Sequence, residues 1–214
     1  MVDYVEAIKR PITDTTSLIY GAVLGVLSFL VIPMFLIEGY ALGVAKNAAS
    51  GTPGLPKWEN WVELLIKGIL VVIISIIYLI IPTIVLSAGM GSMIMGLMAG
   101  DTSGLAAAAG AGGVMLLVGG ILYLIALLIL PIAMVAYANE GNFGAAFKFG
   151  SIIKKVLSLK YIITWIVVVV YSVVVYSVLT MVTVFMPFIG MGIAGYLVAV
   201  TGMDMFGQVY KETA

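Results

Sequence analysis

The chain has 214 residues, of which 63% are hydrophobic and 9% charged, against about 25% charged in an ordinary globular domain. With a mean hydropathy of +1.24, it carries more apolar surface than a soluble core of this size can hide, so its main solvent is lipid. Ten Lys+Arg balance ten Asp+Glu, leaving no net field to attract nucleic acid. Cysteine and histidine are both absent, which removes disulfides, thiolate and imidazole metal sites, Cys nucleophiles and the commonest general base.

Uncharged runs lie between Asp14 and Glu38, Lys67 and Asp101, Asp101 and Glu140, and Lys160 and Asp204. A spanning helix needs about 20 apolar residues. The first three runs each accommodate one helix. The fourth accommodates two, divided at Met186-Pro187-Phe188, because proline interrupts the helical hydrogen-bond ladder. The expectation is an all-α, polytopic transmembrane helix bundle in one membrane-embedded domain over 1–214. Its roughly five spans fall near 17–43, 68–88, 112–136, 161–184 and 188–208. The first run follows a polar, mixed-charge stretch and is long enough to cross, so it reads as a span rather than a cleaved signal.

In the first span Ser17, Gly21, Gly25 and Ser28 share one side. In the last, Gly192, Gly195, Ala199 and Gly202 do the same. Small residues in such stripes let backbones approach closely. Glu38 and Asp204 lie near span ends, where snorkelling toward water is the expected behaviour. Pro53, Gly54 and Pro56 forbid a continuous helix after Ser50. Trp58 and Trp61 then mark the entry of the second span, as candidate interfacial, lipid-contacting residues at headgroup level. Ser87–Gly113, nearly all Gly, Ala and Met, disfavours a well-defined helix by about 1 kcal/mol per glycine. It reads as a mobile apolar outer loop, with a re-entrant gate as the alternative.

On a wheel of 148–158, Phe149, Ile152, Ile153, Val156 and Leu157 oppose Lys148, Ser151, Lys154, Lys155 and Ser158. This is the pattern of a cytoplasmic amphipathic helix, lying on anionic lipid through Lys148, Lys154 and Lys155 or packed on the spans. In the fourth span Tyr161, Trp165, Ser172, Tyr176, Thr180 and Thr183 share one arc among valines and isoleucines. Hydroxyls facing lipid find no partners, so Ser172, Tyr176, Thr180 and Thr183 form a candidate polar face, packed against protein or lining a wet cavity. Tyr78 and Tyr123, mid-span in the second and third helices, are candidate neighbours.

Lysines concentrate in the loops near 44–67 and 137–160 and in the tail at Lys211. The rule relating such residues to sidedness makes these parts cytoplasmic and, with five spans, puts the N-terminus outside. Lys9 and Arg10 disagree with that placement, leaving an in-plane N-terminal segment or an irregular first span as the alternative.

One element recurs. Pro33 to Tyr40, Pro131 to Tyr137 and, more loosely, Pro187 to Tyr196 each place a proline, then a small residue, then a tyrosine. The stretch from Ile32 to Pro82 carries Gly39-Tyr40, Gly51, Leu55-Pro56, Trp58, Trp61, Lys67-Gly68, Tyr78 and Pro82. With AYANEGNFGAAFKFG from Ala136 and FGQVYKE from Phe206, it resembles the family called domain of unknown function 4013. The resemblance covers most of the chain. It implies a multi-spanning protein of a prokaryotic, mainly archaeal, plasma membrane. It carries no catalytic residues to transfer.

The expected function is that of a non-enzymatic integral membrane protein, a structural or partner-binding component. Its partners would be membrane lipids, further copies of itself or other membrane proteins, and no cofactor is expected. The alternative is a small transporter or channel, oligomeric in use. A conventional triad is excluded by the lack of histidine.

Overall fold

A computed structural model of the chain describes residues 2–100, 102–184 and 186–213. These residues are helical almost throughout, with no strand among them. The helices are α1 (Tyr4–Thr13), α2 (Thr15–Val26), α3 (Ile32–Ser50), α4 (Trp61–Ala99), α5 (Thr102–Glu140), α6 (Phe149–Val156), α7 (Leu159–Val182) and α8 (Pro187–Glu212). Short 3-10 turns follow α2 at Leu27–Leu30 and α5 at Phe143–Phe147. Four helices, α4, α5, α7 and α8, are long and apolar enough to cross a membrane, or five if the bent pair formed by α1 and the segment Thr15–Leu30 counts as one. The chain divides into two compact units, one of residues 1–72 with 131–214, the other of residues 73–130.

In the larger unit the expected first span, 17–43, is not one helix. Asp14 ends α1 and caps α2, its Oδ1 accepting from the Ser17 amide at 3.0 Å, and the chain bends there by 80°. A second break follows at Val31, whose φ of 68° is left-handed and unfavourable for a β-branched residue. Pro33 then opens α3 in the first turn, where its missing N–H costs nothing. Gly51, with φ 76°, closes α3 by donating to the Ala48 carbonyl at 3.2 Å.

The small-residue faces fix how these helices meet. A Cβ at Gly21 would strike the Tyr196 ring, and one at Gly25 would strike the Gly192 backbone. The pairs 21–196 and 25–192 run in opposite senses, so α2 lies antiparallel to α8. A Cβ at Gly207 would collide with Ala45 O and the Ala48 side chain, and Tyr40 lies 6.5 Å from Tyr196, ring to ring. The pairs 40–196 and 45–207 rise together, so α3 lies parallel to α8. Residues 15–50 are therefore a helical hairpin packed on the last helix. Gly39 and Gly68 bring α3 against the first turns of α4, where added Cβ atoms would meet Leu64 O and Phe35 O. Close backbone approach of this kind is what holds helices together where lipid removes the hydrophobic drive.

The core of this unit joins Ile37, Tyr40, Val44, Trp58, Tyr196 and Val200. Of the three proline elements, those at Pro33 and Pro187 open helices, while Pro131 lies inside α5. Tyr40 and Tyr196, which close the first and third copies, are both fully buried in that core.

The smaller unit, 73–130, comprises the later part of α4 and the earlier part of α5. Residues 87–99 and 102–113 are helix, not an irregular loop; Gly100 has φ 72°, and Asp101 lies outside the described residues. Four of the glycines sit at close approaches, while Gly91, Gly110, Gly113 and Gly120 face open space. Cβ atoms at Gly89 and Gly112 would press on each other's carbonyls, one at Gly96 would overlap Ala108, and one at Gly119 would crowd Leu86. Propensity penalises glycine in an isolated helix, but backbone approach between two helices repays it. The expected spans 68–88 and 112–136 lie within helices of 39 residues each, about 58 Å long at 1.5 Å per residue.

Candidate functional site

Polar side chains of the larger unit gather where α1 meets the ends of α7 and α8. Asp3 caps α1, its Oδ1 accepting from the Glu6 amide at 2.9 Å. Its own amide donates to Gln208 Oε1 at 2.7 Å. Tyr4 Oη and Thr164 Oγ1 are 3.0 Å apart. Arg10 Nη1 donates to both carboxylate oxygens of Asp204, at 2.9 and 2.8 Å, and Gln208 Nε2 donates to Asp204 Oδ1 at 3.1 Å. Asp204 is fully buried. It does not snorkel to water; its charge is met by an arginine 194 positions away. Two partners on one buried carboxylate offset much of the cost of desolvating it. Lys160 adds an exposed pair with Glu212 at 2.7 Å.

Beside this clasp lies an aromatic cluster. The Tyr40 and Trp58 rings stack at 3.9 Å with 4° between planes. Trp61, Tyr20 and Tyr196 stand 5.9, 6.1 and 6.5 Å from the Trp58 ring, centroid to centroid. Tyr40 Oη donates to Ser17 Oγ at 2.9 Å, and Ser17 Oγ donates to Asp14 Oδ2 at 3.1 Å. The Tyr196 hydroxyl is buried without a hydrogen bond. Of the two expected interfacial tryptophans, Trp61 is exposed and Trp58 is a buried core residue. A ring beside prolines reads as an anchor from sequence; the Tyr40 that covers it is eighteen positions earlier, beyond any helical spacing.

The Ser and Thr hydroxyls of the α7 stripe bond within their own helix. Ser172 Oγ donates to Val168 O at 2.7 Å, Thr180 Oγ1 to Tyr176 O at 2.6 Å and Thr183 Oγ1 to Leu179 O at 2.7 Å. Tyr176 is exposed. A hydroxyl bond from α7 to α8 is made by a residue outside the stripe: Tyr171 Oη accepts from Thr201 Oγ1 at 3.3 Å. Tyr78 and Tyr123 are half-buried in the 73–130 unit.

The amphipathic helix forms as α6, rotated away from a simple apolar-inward reading so that one lysine turns in and several apolar residues turn out. Its inward residues are Ile152 and Lys155. Lys155 Nζ donates to Tyr210 O at 3.1 Å and sits 4.1 Å over the Tyr210 ring. Burial lowers its ammonium below the usual lysine range. Lys148 pairs with Glu140 at 2.6 Å. Lys154 is exposed, and so are Phe149, Ile153 and Leu157, one turn apart along one edge.

These helices define a multi-helix membrane protein with a polar clasp and an aromatic core. The family model "Protein of unknown function (DUF4013)" matches residues 26–185, and the chain belongs to that family. No curated protein matches, and no solved structure does. The residues that carry the family resemblance are largely packing residues: Gly39 and Gly68 at the α3–α4 approach, Tyr40 and Trp58 in the stack, Gly51 at the cap.

Proposed function

We propose that this protein is a non-enzymatic component of the cell membrane that works by holding lipid or another membrane protein on its helices. The observation that carries the reading is the fate of the α7 hydroxyls. A path for a polar solute needs such groups free to solvate it. Here Ser172, Thr180 and Thr183 each donate to a carbonyl of their own helix, so these three donors are met within α7 and not by a solute. A transporter or channel is the rival reading, and it needs that face wet.

The clasp supports a sidedness for this component. It brings Lys9 and Arg10 beside the last turns of α8, near Lys211. With the hairpin 15–50 entering and returning on one side, both ends of the chain and the lysine loops share the cytoplasmic face, and the basic residues of α1 obey the sidedness rule. Following the family resemblance, we place the protein in a prokaryotic, archaeal plasma membrane.

Single cysteines in the full chain, in native membrane, test both points. Cysteines at Lys9 and Ser151 should react with an impermeant maleimide only from the cytoplasmic side, and one at Ser103 only from outside. A cysteine at Tyr176 should stay unreactive to small water-soluble reagents. Reaction at 176 in a stably folded protein would overturn the first reading and favour transport.

A further inference from the structure

Two adjoining cavities open where α3, the start of α4 and the end of α5 meet. One, of about 170 Å³, is lined by Lys46, Glu63, Lys67, Tyr137 and neighbouring backbone. The other, of about 860 Å³ and open to the outside, is lined by Trp61, Val62, Ile66 and, again, Glu63, Lys67 and Tyr137. The first is cationic: two ammonium groups face one carboxylate. Lys67 Nζ holds Glu63 at 2.6 Å, and Lys46 adds a second positive charge beside the same carboxylate. Tyr137 is fixed in the wall of both by the edge of the Phe143 ring, centroids 6.5 Å apart. The second cavity is apolar on its outer side, since Trp61, Val62 and Ile66 are all exposed.

A cationic recess continuous with an apolar, outward-facing groove has the form of an amphiphile. We infer that it holds an anionic phospholipid. The headgroup phosphate enters the recess between Lys46 and Lys67, with the Tyr137 hydroxyl as a further donor, and an acyl chain lies along Val62 and Ile66 beside Trp61. Phosphate is the shared chemistry of a lipid and a free anion; the apolar groove selects the lipid. Lysine serves as a point charge for phosphate, and an indole beside it matches the headgroup level. Glu63 competes with the phosphate for Lys67. This deepens the proposed function and rests on it, but it is tested by binding, whereas that reading is tested by reagent access at 176.

The experiment titrates the full chain in neutral detergent with dioleoylphosphatidylglycerol, and separately with dioleoylphosphatidylcholine and inorganic phosphate. Binding is read by native mass spectrometry and by the rise in melting temperature. Phosphatidylglycerol should bind more tightly than phosphatidylcholine, and Lys46→Gln and Lys67→Gln should each weaken it about fivefold. Glu63→Gln should tighten phosphatidylglycerol binding, an effect that loss of a merely structural ion pair would not produce. Phosphatidylcholine, whose choline cation offsets the same phosphate, should change less than phosphatidylglycerol in every variant. Unchanged phosphatidylglycerol affinity in both lysine variants overturns the proposal. So does weaker binding in Glu63→Gln, which decides the matter alone if the lysine variants fail to fold. Inorganic phosphate at millimolar concentration that displaces phosphatidylglycerol with equal stabilisation also overturns the lipid assignment.

Discussion

Each of the two units of the chain is held together internally, and the means differ. Residues 73–130 bring their helices together at glycines, Gly89 against Gly112, Gly96 against Ala108, Gly119 against Leu86. Residues 1–72 and 131–214 use the same device at Gly21, Gly25, Gly39 and Gly207, and add a buried ion pair, an aromatic stack and a string of hydroxyls. A glycine seam permits contact anywhere along its length, whereas a bonded carboxylate or a stacked indole permits one arrangement. Polar groups in apolar surroundings therefore add specificity to the packing of the larger unit, beside the close backbone approach that both units use.

The sharpest way to break this contrast is to remove the arginine of the clasp. Arg10→Met leaves Asp204 buried with only Gln208 as donor. The expected loss is about 3–5 kcal/mol in detergent melting, as for other broken buried pairs. Arg10→Met combined with Asp204→Leu should recover most of it, because no uncompensated charge remains. A single variant as stable as wild type would show that the pair contributes nothing to the packing of α1.

Overpacking the seams comes next. Gly25→Val and Gly112→Val each add methyl groups where a neighbouring backbone already stands. Each should cost about 1–3 kcal/mol. The comparison predicts that Gly25→Val lowers the melting of the larger unit, read by Trp58 fluorescence, while Gly112→Val spares that signal. Loss of the Trp58 signal in Gly112→Val would mean that the units do not melt separately.

Much of this seam was legible in the sequence, and the clasp was not. Gly21 and Gly25 form a periodic pattern on one helix, and periodicity survives in a single sequence. So do the helical class, the apolar runs and the face of α6. The pairing of Arg10 with Asp204 leaves no local trace, because neither residue's neighbours encode the other. The orientation of α6 was hidden for a related reason: a wheel shows which residues share a face, not which face finds Tyr210. The helicity of 87–99 was misread because propensity describes a helix alone, and here the partner helix is what Gly89 and Gly96 serve. The break at Val31 has only Pro33 as its sequence signal, since a β-branched residue is the least expected at that φ.

A smaller effect separates two tyrosines of the core. Tyr40→Phe removes the donor to Ser17 Oγ and should cost about 1 kcal/mol. Tyr196→Phe removes a buried hydroxyl that has no partner and should be neutral or stabilising, because an unmet donor carries only its desolvation cost. Equal losses in melting would mean that the Tyr196 hydroxyl is bonded to water or lipid in the membrane.

The smallest expected effect tests the stripe on α7. Thr180→Val keeps the shape of the side chain and deletes a hydroxyl that donates to Tyr176 O of its own helix. Such back-bonding slightly destabilises and bends a helix, so the change should lie within about 0.5 kcal/mol of zero. Tyr171→Phe, by contrast, cuts the bond from Thr201 that joins α7 to α8 and should cost about 0.6 kcal/mol, the usual worth of an interhelical hydrogen bond in a membrane. The order matters more than the sizes. If Thr180→Val proves the costlier of the two, its hydroxyl serves a partner beyond its own helix, such as a second copy or a solute, and the α7 donors are not met within their own helix, as the non-conducting reading requires.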